Sequence, residues 1–293
     1  MRRRDLFAAS ALAVGAGASA QAQSSTASGA PQWENPVRKT LKEGKPVVGA
    51  TITVPSPDIA ARMATFGFDF LWIEMEHSGI TLETARNMIL ATRGLPCVPF
   101  IRVPFNEIWL AKRALDIGAM GVLFPFTSTP ELARAAVHAC KYPPTGGRGS
   151  GGGLASLRWP APEGYANFAD RNVMVIVIIE EKRAVESIEE IAAVPGIDVM
   201  FIGANDLSYS YGYRGRKDAA DYQAGVQRVL DAGRKHGIPV GWPAAAAEIP
   251  DLMKRGFRFF QGASELAMLA PGAQAYADAA GKKPAEQGER LLY

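Results

Sequence analysis

Eight short apolar runs of β character alternate with helical stretches along most of this chain. No other feature limits the fold as much. The runs are Val47–Val54, Phe68–Glu76, Val98–Val103, Gly121–Phe126, Val173–Glu180, Val199–Gly203, Pro239–Trp242 and Arg258–Gly262. The clearest, Val173 to Ile179, is continuous rather than alternating, which reads as a parallel strand buried on both faces. Helix starts fall between the runs. Ser56-Pro57-Asp58, Thr81-Leu-Glu-Thr84 and Thr129-Pro130-Glu131 each place a capping hydroxyl before a helical pattern. Asn106 begins another such stretch, and Asp251 to Gly256 precedes the last strand. Eight such units over roughly 240 residues predict a (β/α)8 TIM barrel. An open doubly wound sheet is the competing arrangement, disfavoured because no Gly-x-Gly-x-x-Gly follows the first run.

A barrel predicts chemistry on the loops that follow its strands. Polar groups gather there: Glu74-Met-Glu-His77 after the second run, Arg102 in the third, Glu180-Glu181 after the fifth, Asn205-Asp206 after the sixth and Gln261 at the eighth. Neighbouring parallel strands lie about 4.8 Å apart, so Glu180 and Asp206 are positioned to hold one hard cation. Of three histidines only His77 follows a strand; His138 and His236 fall in helical patterns and read as surface or packing residues. Glu74 and Glu76 lie two apart, hence on one side of an extended strand. The planar fork of Arg102 suits either a neighbouring carboxylate or that of a substrate. The stretch Thr145 to Gly153 is glycine-rich, but no Gly-Lys-Ser/Thr follows, so it reads as a loop and not a phosphate cradle. Lys182 and Arg183 open a helix on its solvated face. No lysine ends a strand, which disfavours Schiff-base chemistry.

The formal charge of +3 gives no case for a nucleic-acid partner, since two of those charges come from Arg2, Arg3 and Arg4 against Asp5. Cys97 and Cys140 are too few for a disulfide framework and read as buried small hydrophobes, with a single bridge as the alternative. Arg3-Arg4-Asp-Leu-Phe7, a short Ala/Gly-rich stretch and two A-x-A sites mark residues 1–22 as an export signal of twin-arginine type. An ordinary secretory signal or a basic tail is the plainer reading. The expectation is a periplasmic or otherwise exported protein, with no stable membrane insertion once the signal is removed. Residues 23–33 read as a linker, 34–280 as the barrel with a C-terminal helix, and 281–293 as a polar tail.

Taken in order, Glu74-x-Glu-His77, Ile101-Arg102, Leu115-Asp-Ile-Gly-Ala119, Tyr142-Pro-Pro-x-Gly-x-Arg-Gly149, Glu180-x-Lys-x-Ala184 and Phe201-Ile-Gly-x-x-Asp-Leu-Ser208 resemble the HpcH/HpaI-type class II pyruvate aldolases. The resemblance runs from about Gly49 to Met268. It implies a barrel that binds a divalent metal, Mg²⁺ or Mn²⁺ with Co²⁺ as a further candidate, and reversibly cleaves 4-hydroxy-2-oxo acids into pyruvate and an aldehyde. By position it implies Glu180 and Asp206 as metal ligands and His77 as acid/base with Glu74 as its acidic partner. Arg102, Gly203 and Asn205 then meet the small oxo-acid substrate. Asp116 matches an aspartate lent to a neighbouring subunit, in a family that commonly forms hexamers with exchange of the C-terminal helix. Two positions depart from the pattern: Ile178 stands where Gln is common, and Glu74 where Asp is. The same site could instead decarboxylate oxaloacetate, as in the macrophomate-synthase-like branch. A non-catalytic exported binding protein is a third reading, disfavoured by the joint presence of His77, Arg102, Glu180 and Asp206.

Overall fold

The computed structural model describes residues 33–282. The expected export signal, most of the expected linker and all but the first two residues of the expected polar tail lie outside them. Eight strands close a parallel barrel in chain order: β1 (Val47–Ile52), β2 (Phe70–Glu74), β3 (Val98–Arg102), β4 (Gly121–Phe124), β5 (Met174–Ile179), β6 (Val199–Ile202), β7 (Val240–Pro243) and β8 (Phe259–Ser264). Helices separate them, so the predicted (β/α)8 TIM barrel is the fold. The predicted caps also form: Ser56, Thr81 and Thr129 each accept a hydrogen bond from the backbone N–H three residues on.

The barrel interior is filled by phenyl rings set against glycines. Phe70 of β2 stacks on Phe259 of β8 at 4.5 Å between centroids and on Phe100 of β3 at 5.0 Å. β1 separates β2 from β8, so the first contact passes over Gly49, where a Cβ would lie 2.2 Å from the Phe70 ring. Gly121 on β4 stands in the same relation to Phe100, at 2.6 Å. Large and small residues on adjacent strands thus interlock into a packed core.

All eight runs are strands, but most end earlier than their apolar character predicts. Three ends have one cause, a carboxylate that captures the amides needed to continue the ladder. Glu265 accepts from Thr53 N at 2.9 Å and Val54 N at 2.5 Å, which stops β1 at Ile52. Glu74 accepts from Glu76 N at 2.7 Å and His77 N at 3.1 Å, which turns the chain after β2. Glu76 therefore lies beyond the strand and not on the same extended face as Glu74. Phe126, at φ 49°, donates its N–H to Glu180 at 2.6 Å, and β4 ends at Phe124. β8 instead runs on to Ser264, which places Gln261 within it. The helix expected from Asn106 spans Ile108–Asp116.

The opposite pole of the barrel is braced by buried polar contacts. Asn35 donates to the Asn172 side chain at 2.8 Å, and Arg38 pairs with Asp198 at 3.0 Å. Lys141 donates to the carbonyls of Asp170 and Val173 at 2.7 and 3.0 Å. Trp33, the last residue assigned to the linker, packs on Trp159 at 4.8 Å between centroids and so belongs to the packing of the barrel. Cys97 and Cys140 are both free and buried. His138 and His236 lie in helices, and Lys182 opens one. No helix among the described residues is long and apolar enough to cross a membrane.

Candidate active site at the barrel mouth

Register brings the predicted residues to one level. Glu74 at the end of β2 pairs with Arg102 at the end of β3, and Ile179 of β5 pairs with Ile202 of β6, just before Glu180 and Gly203. A cavity of about 300 Å³ opens there. Its wall includes His77, Arg102, Glu180, Gly203, Asn205 and Asp206, so six sequence-predicted positions converge on it.

The guanidinium of Arg102 is shared by three carboxylates. It pairs closely with Glu76, lies 3.4 Å from Glu180 and is 3.5 Å from Glu74. Glu74 is buried and held on every side, because its second oxygen also accepts from the Trp72 indole at 3.0 Å. That carboxylate reaches His77 through the backbone amide. The carboxylate beside the exposed imidazole is that of Glu76, 3.5 Å from Nε2. The acidic partner expected at Glu74 therefore orients the turn that carries His77, and Glu76 neighbours its ring.

Burial shapes the charges of this cluster. The Glu180 carboxyl is pushed up to about 7, chiefly because it is cut off from water, with Arg102 and the Phe126 N–H opposing and Glu76 and Asp206 adding to the rise. Glu76 is raised for the same first reason, against the pull of Arg102 and His77. Three carboxylates thus share one guanidinium, and Asp206 is a further acidic neighbour of Glu76 and Glu180. Gly203 leaves one face of Glu180 open: a Cβ there would lie 2.6 Å from Oε2. Asp206, in the first turn of the helix Ala204–Ser210, makes no hydrogen bond or ion pair among the described residues. Asp206, and Glu180 through the Oε2 that only the longer Arg102 contact engages, are two carboxylates in an acidic pocket and suit a hard cation that keeps other positions for water or substrate oxygens. Among the described residues no group of three His, Cys, Asp or Glu converges as a ready ligand set.

Asp116 stands apart from the cavity. It ends the helix Ile108–Asp116 and accepts from the buried Arg148 at 3.0 Å; that guanidinium lies over the ring of Tyr142 at 4.7 Å. Sequence reasoning missed two contributors to the site: the Phe126 backbone, and Lys217, which lines the cavity from the loop after the helix Ala204–Ser210. Glu76 was legible in the Glu-x-Glu-His motif as one of two carboxylates near His77, and the resemblance alone favoured Glu74. Phe126 and Lys217 carry no sequence signal, because one acts through its backbone and the other lies far from any strand end. Ile178 and Phe201 line the cavity with apolar surface, where the family pattern has a polar Gln at the first position.

Comparison with known proteins gives the family and the fold. A family model described as HpcH/HpaI aldolase/citrate lyase matches residues 52–271. The chain is 35% identical to a hydroxypyruvate/pyruvate aldolase of Paraburkholderia phytofirmans over 239 residues, covering 79% of this chain and 92% of that one. It is likewise 35% identical to a 2-dehydro-3,6-dideoxy-6-sulfogluconate aldolase of Pseudomonas putida, over 78% of this chain and 90% of the relative. A solved HpcH/HpaI aldolase/citrate lyase family protein from Burkholderia cenocepacia superposes with a TM-score of 0.79 at 32% identity, covering 85% of this chain and 100% of that structure.

Proposed function

The chain belongs to the HpcH/HpaI aldolase/citrate lyase family, and on that premise we propose that it is a divalent-metal-dependent aldolase cleaving 4-hydroxy-2-oxo acids to pyruvate and an aldehyde. It is a carbon–carbon lyase, as its relatives at 35% identity are. The observation that carries the metal reading is the pair Glu180 and Asp206 beside His77 and Arg102 on one cavity. Glu180 and Asp206 would hold a Mg²⁺ or Mn²⁺ ion, which when bound would supply Lewis acidity to the oxo acid.

The chain's own residues account for the rest of the chemistry. Arg102 offers N–H donors to the oxo-acid end and to the negative charge that develops on the keto oxygen. His77 takes the proton of the C4 hydroxyl as the C3–C4 bond breaks. The bonding pair passes to C3 and delocalises as an enolate, and the C4 fragment leaves as the aldehyde. His77 then returns its proton to C3, giving pyruvate. Glu76 steadies the imidazolium between these two transfers, and Glu74 fixes the turn that aims it. Gly203 and Asn205 border the substrate on the side of β6.

Two wider readings accompany this one. The exposed apolar side chains of the C-terminal helix Glu265–Ala279, among them Leu266 and Leu269, support a homo-oligomer, hexameric by resemblance, in which Asp116 serves a neighbouring copy's site. The arginine-led segment 1–22 supports export.

Exchange of the pyruvate methyl protons with solvent deuterium tests the central reading. With Mg²⁺ or Mn²⁺ present the protein exchanges them, and chelation, His77→Ala or Asp206→Ala lowers the rate at least about 100-fold. A metal-supplemented protein that leaves the methyl protons in place would contradict the proposal.

A further inference from the structure

Trp72 connects the apolar interior of the barrel to the charged cluster at its mouth. Phe70, Trp72 and Glu74 alternate along β2 onto one face. Phe70 lies among the stacked phenyl rings, Trp72 meets Phe201 edge to face at 4.9 Å between centroids, and Glu74 ends the strand beside Arg102. Phe201 in turn lines the cavity, while Trp72 itself is fully buried.

A buried indole N–H needs an acceptor. For Trp159 a backbone carbonyl serves, that of Gly118 at 2.8 Å. Trp72 instead donates to a carboxylate of the candidate site, Glu74 Oε2, at 3.0 Å.

Glu74 divides its two oxygens between different tasks. Oε1 accepts from the amides of Glu76 and His77 at 2.7 and 3.1 Å and so shapes the turn. Oε2 accepts from the indole, with Arg102 Nη1 farther off at 3.5 Å. Both oxygens lie in one rigid plane, so a donor that fixes Oε2 also fixes Oε1. A glutamate stem has one more torsion than an aspartate stem, and each free torsion must be held if the turn is to keep a single geometry. Without the indole, the donor left to Oε2 is the guanidinium of Arg102. Rotation toward that charge would draw Oε1 away from the two amides.

We infer that Trp72 is a positioning residue: its indole N–H locks the Glu74 carboxylate and, through it, the turn that carries His77. The catalytic meaning of that turn rests on the aldolase reading, whereas the link from indole to turn does not.

Amide hydrogen exchange on the full chain tests the link without turnover. In Trp72→Phe, which keeps an aromatic ring against Phe201, the amides of Glu76 and His77 exchange about tenfold faster, while those of β5 keep their wild-type rates. In the Glu74→Ala background the same change accelerates those two amides no further. Glu74→Ala alone moves the Nε1–H resonance of Trp72 upfield, because the proton leaves a carboxylate; this arm stands even where Trp72→Phe does not fold. With Mg²⁺ and pyruvate, Trp72→Phe lowers the saturated rate of methyl-proton exchange about tenfold and alters KM for pyruvate less than about twofold. Unchanged Glu76 and His77 amides, an equal acceleration in β5, an unmoved indole resonance, or a loss carried in KM would overturn the inference. A wild type that exchanges no methyl protons while the amide and indole responses hold discards the aldolase reading and leaves the link from Trp72 to the turn standing.

Discussion

Three carboxylates share the guanidinium of Arg102, at close range for Glu76, 3.4 Å for Glu180 and 3.5 Å for Glu74. Arginine suits this position because its planar fork presents several donors in fixed directions, whereas an ammonium is a compact point charge on a flexible stem. Arg102→Lys therefore keeps the charge and loses the geometry. Glu180, already pushed up to about 7 by burial, then loses the directed N–H of Arg102 and keeps only the Phe126 N–H as a fixed donor. We expect the exchange of pyruvate methyl protons to fall at least about 100-fold and unfolding stability to drop by about 1–3 kcal/mol. Proton NMR and urea denaturation measure the two effects. An exchange rate within a few-fold of wild type would show that charge alone suffices. At this scale the Glu-x-Glu-His motif was legible, but the division of labour within it was not. Spacing puts both glutamates near His77; only the turn after β2 decides which one meets the ring.

At the scale of the elements, every strand was announced by an apolar run, yet the ends were not. Burial on both faces writes itself into composition, because only Val, Ile, Leu, Phe and small residues tolerate it. Termination at the mouth is written in side-chain capture of amides by Glu74, Glu180 and Glu265, one of which lies more than 200 residues from the strand it stops. No local pattern encodes a partner at that distance. The phenyl–glycine interlock is similarly invisible in one strand and evident across three. It makes a definite prediction. Gly49→Ala places a Cβ about where the Phe70 ring now lies, at 2.2 Å, so rings stacked between β2 and β8 must shift. The expected cost is about 1–3 kcal/mol from overpacking. Phe70→Leu alone also destabilises, through the lost volume. Combined with Gly49→Ala it should cost less than the two single changes added together, since one relieves what the other crowds. Strict additivity in denaturant melts would mean that the two sites do not share the same space.

Considered whole, the molecule separates chemistry from bracing. The mouth holds a cavity and exposed polar groups, while the opposite pole is tied by Asn35, Arg38, Lys141 and Asp198. Cys97, just before β3, and Cys140, at the end of the helix Pro130–Cys140, both lie toward the braced pole and are 1% and 0% exposed. Burial pushes each thiol from 9.0 up to about 12. A neutral thiol thus contributes stability that is fully present below about pH 9 and is lost as pH rises through about 12, because the unfolded chain ionises first. At pH 10 each thiol should weaken folding by roughly 1 kcal/mol relative to pH 8, and replacing both with Ala should remove that part of the alkaline slope. The same burial means that neither thiol reacts with an aromatic disulfide at pH 8 until the barrel opens. A closed barrel has no edge at which one pole can loosen alone, so opening should be global and both thiols should react at one rate. Mg²⁺ with pyruvate, bound at the far pole, should then slow both equally, by the factor its occupancy predicts. If the ligand slows neither thiol while still raising the melting temperature, the braced pole opens independently of the site, and the two ends of the barrel are separate cooperative units.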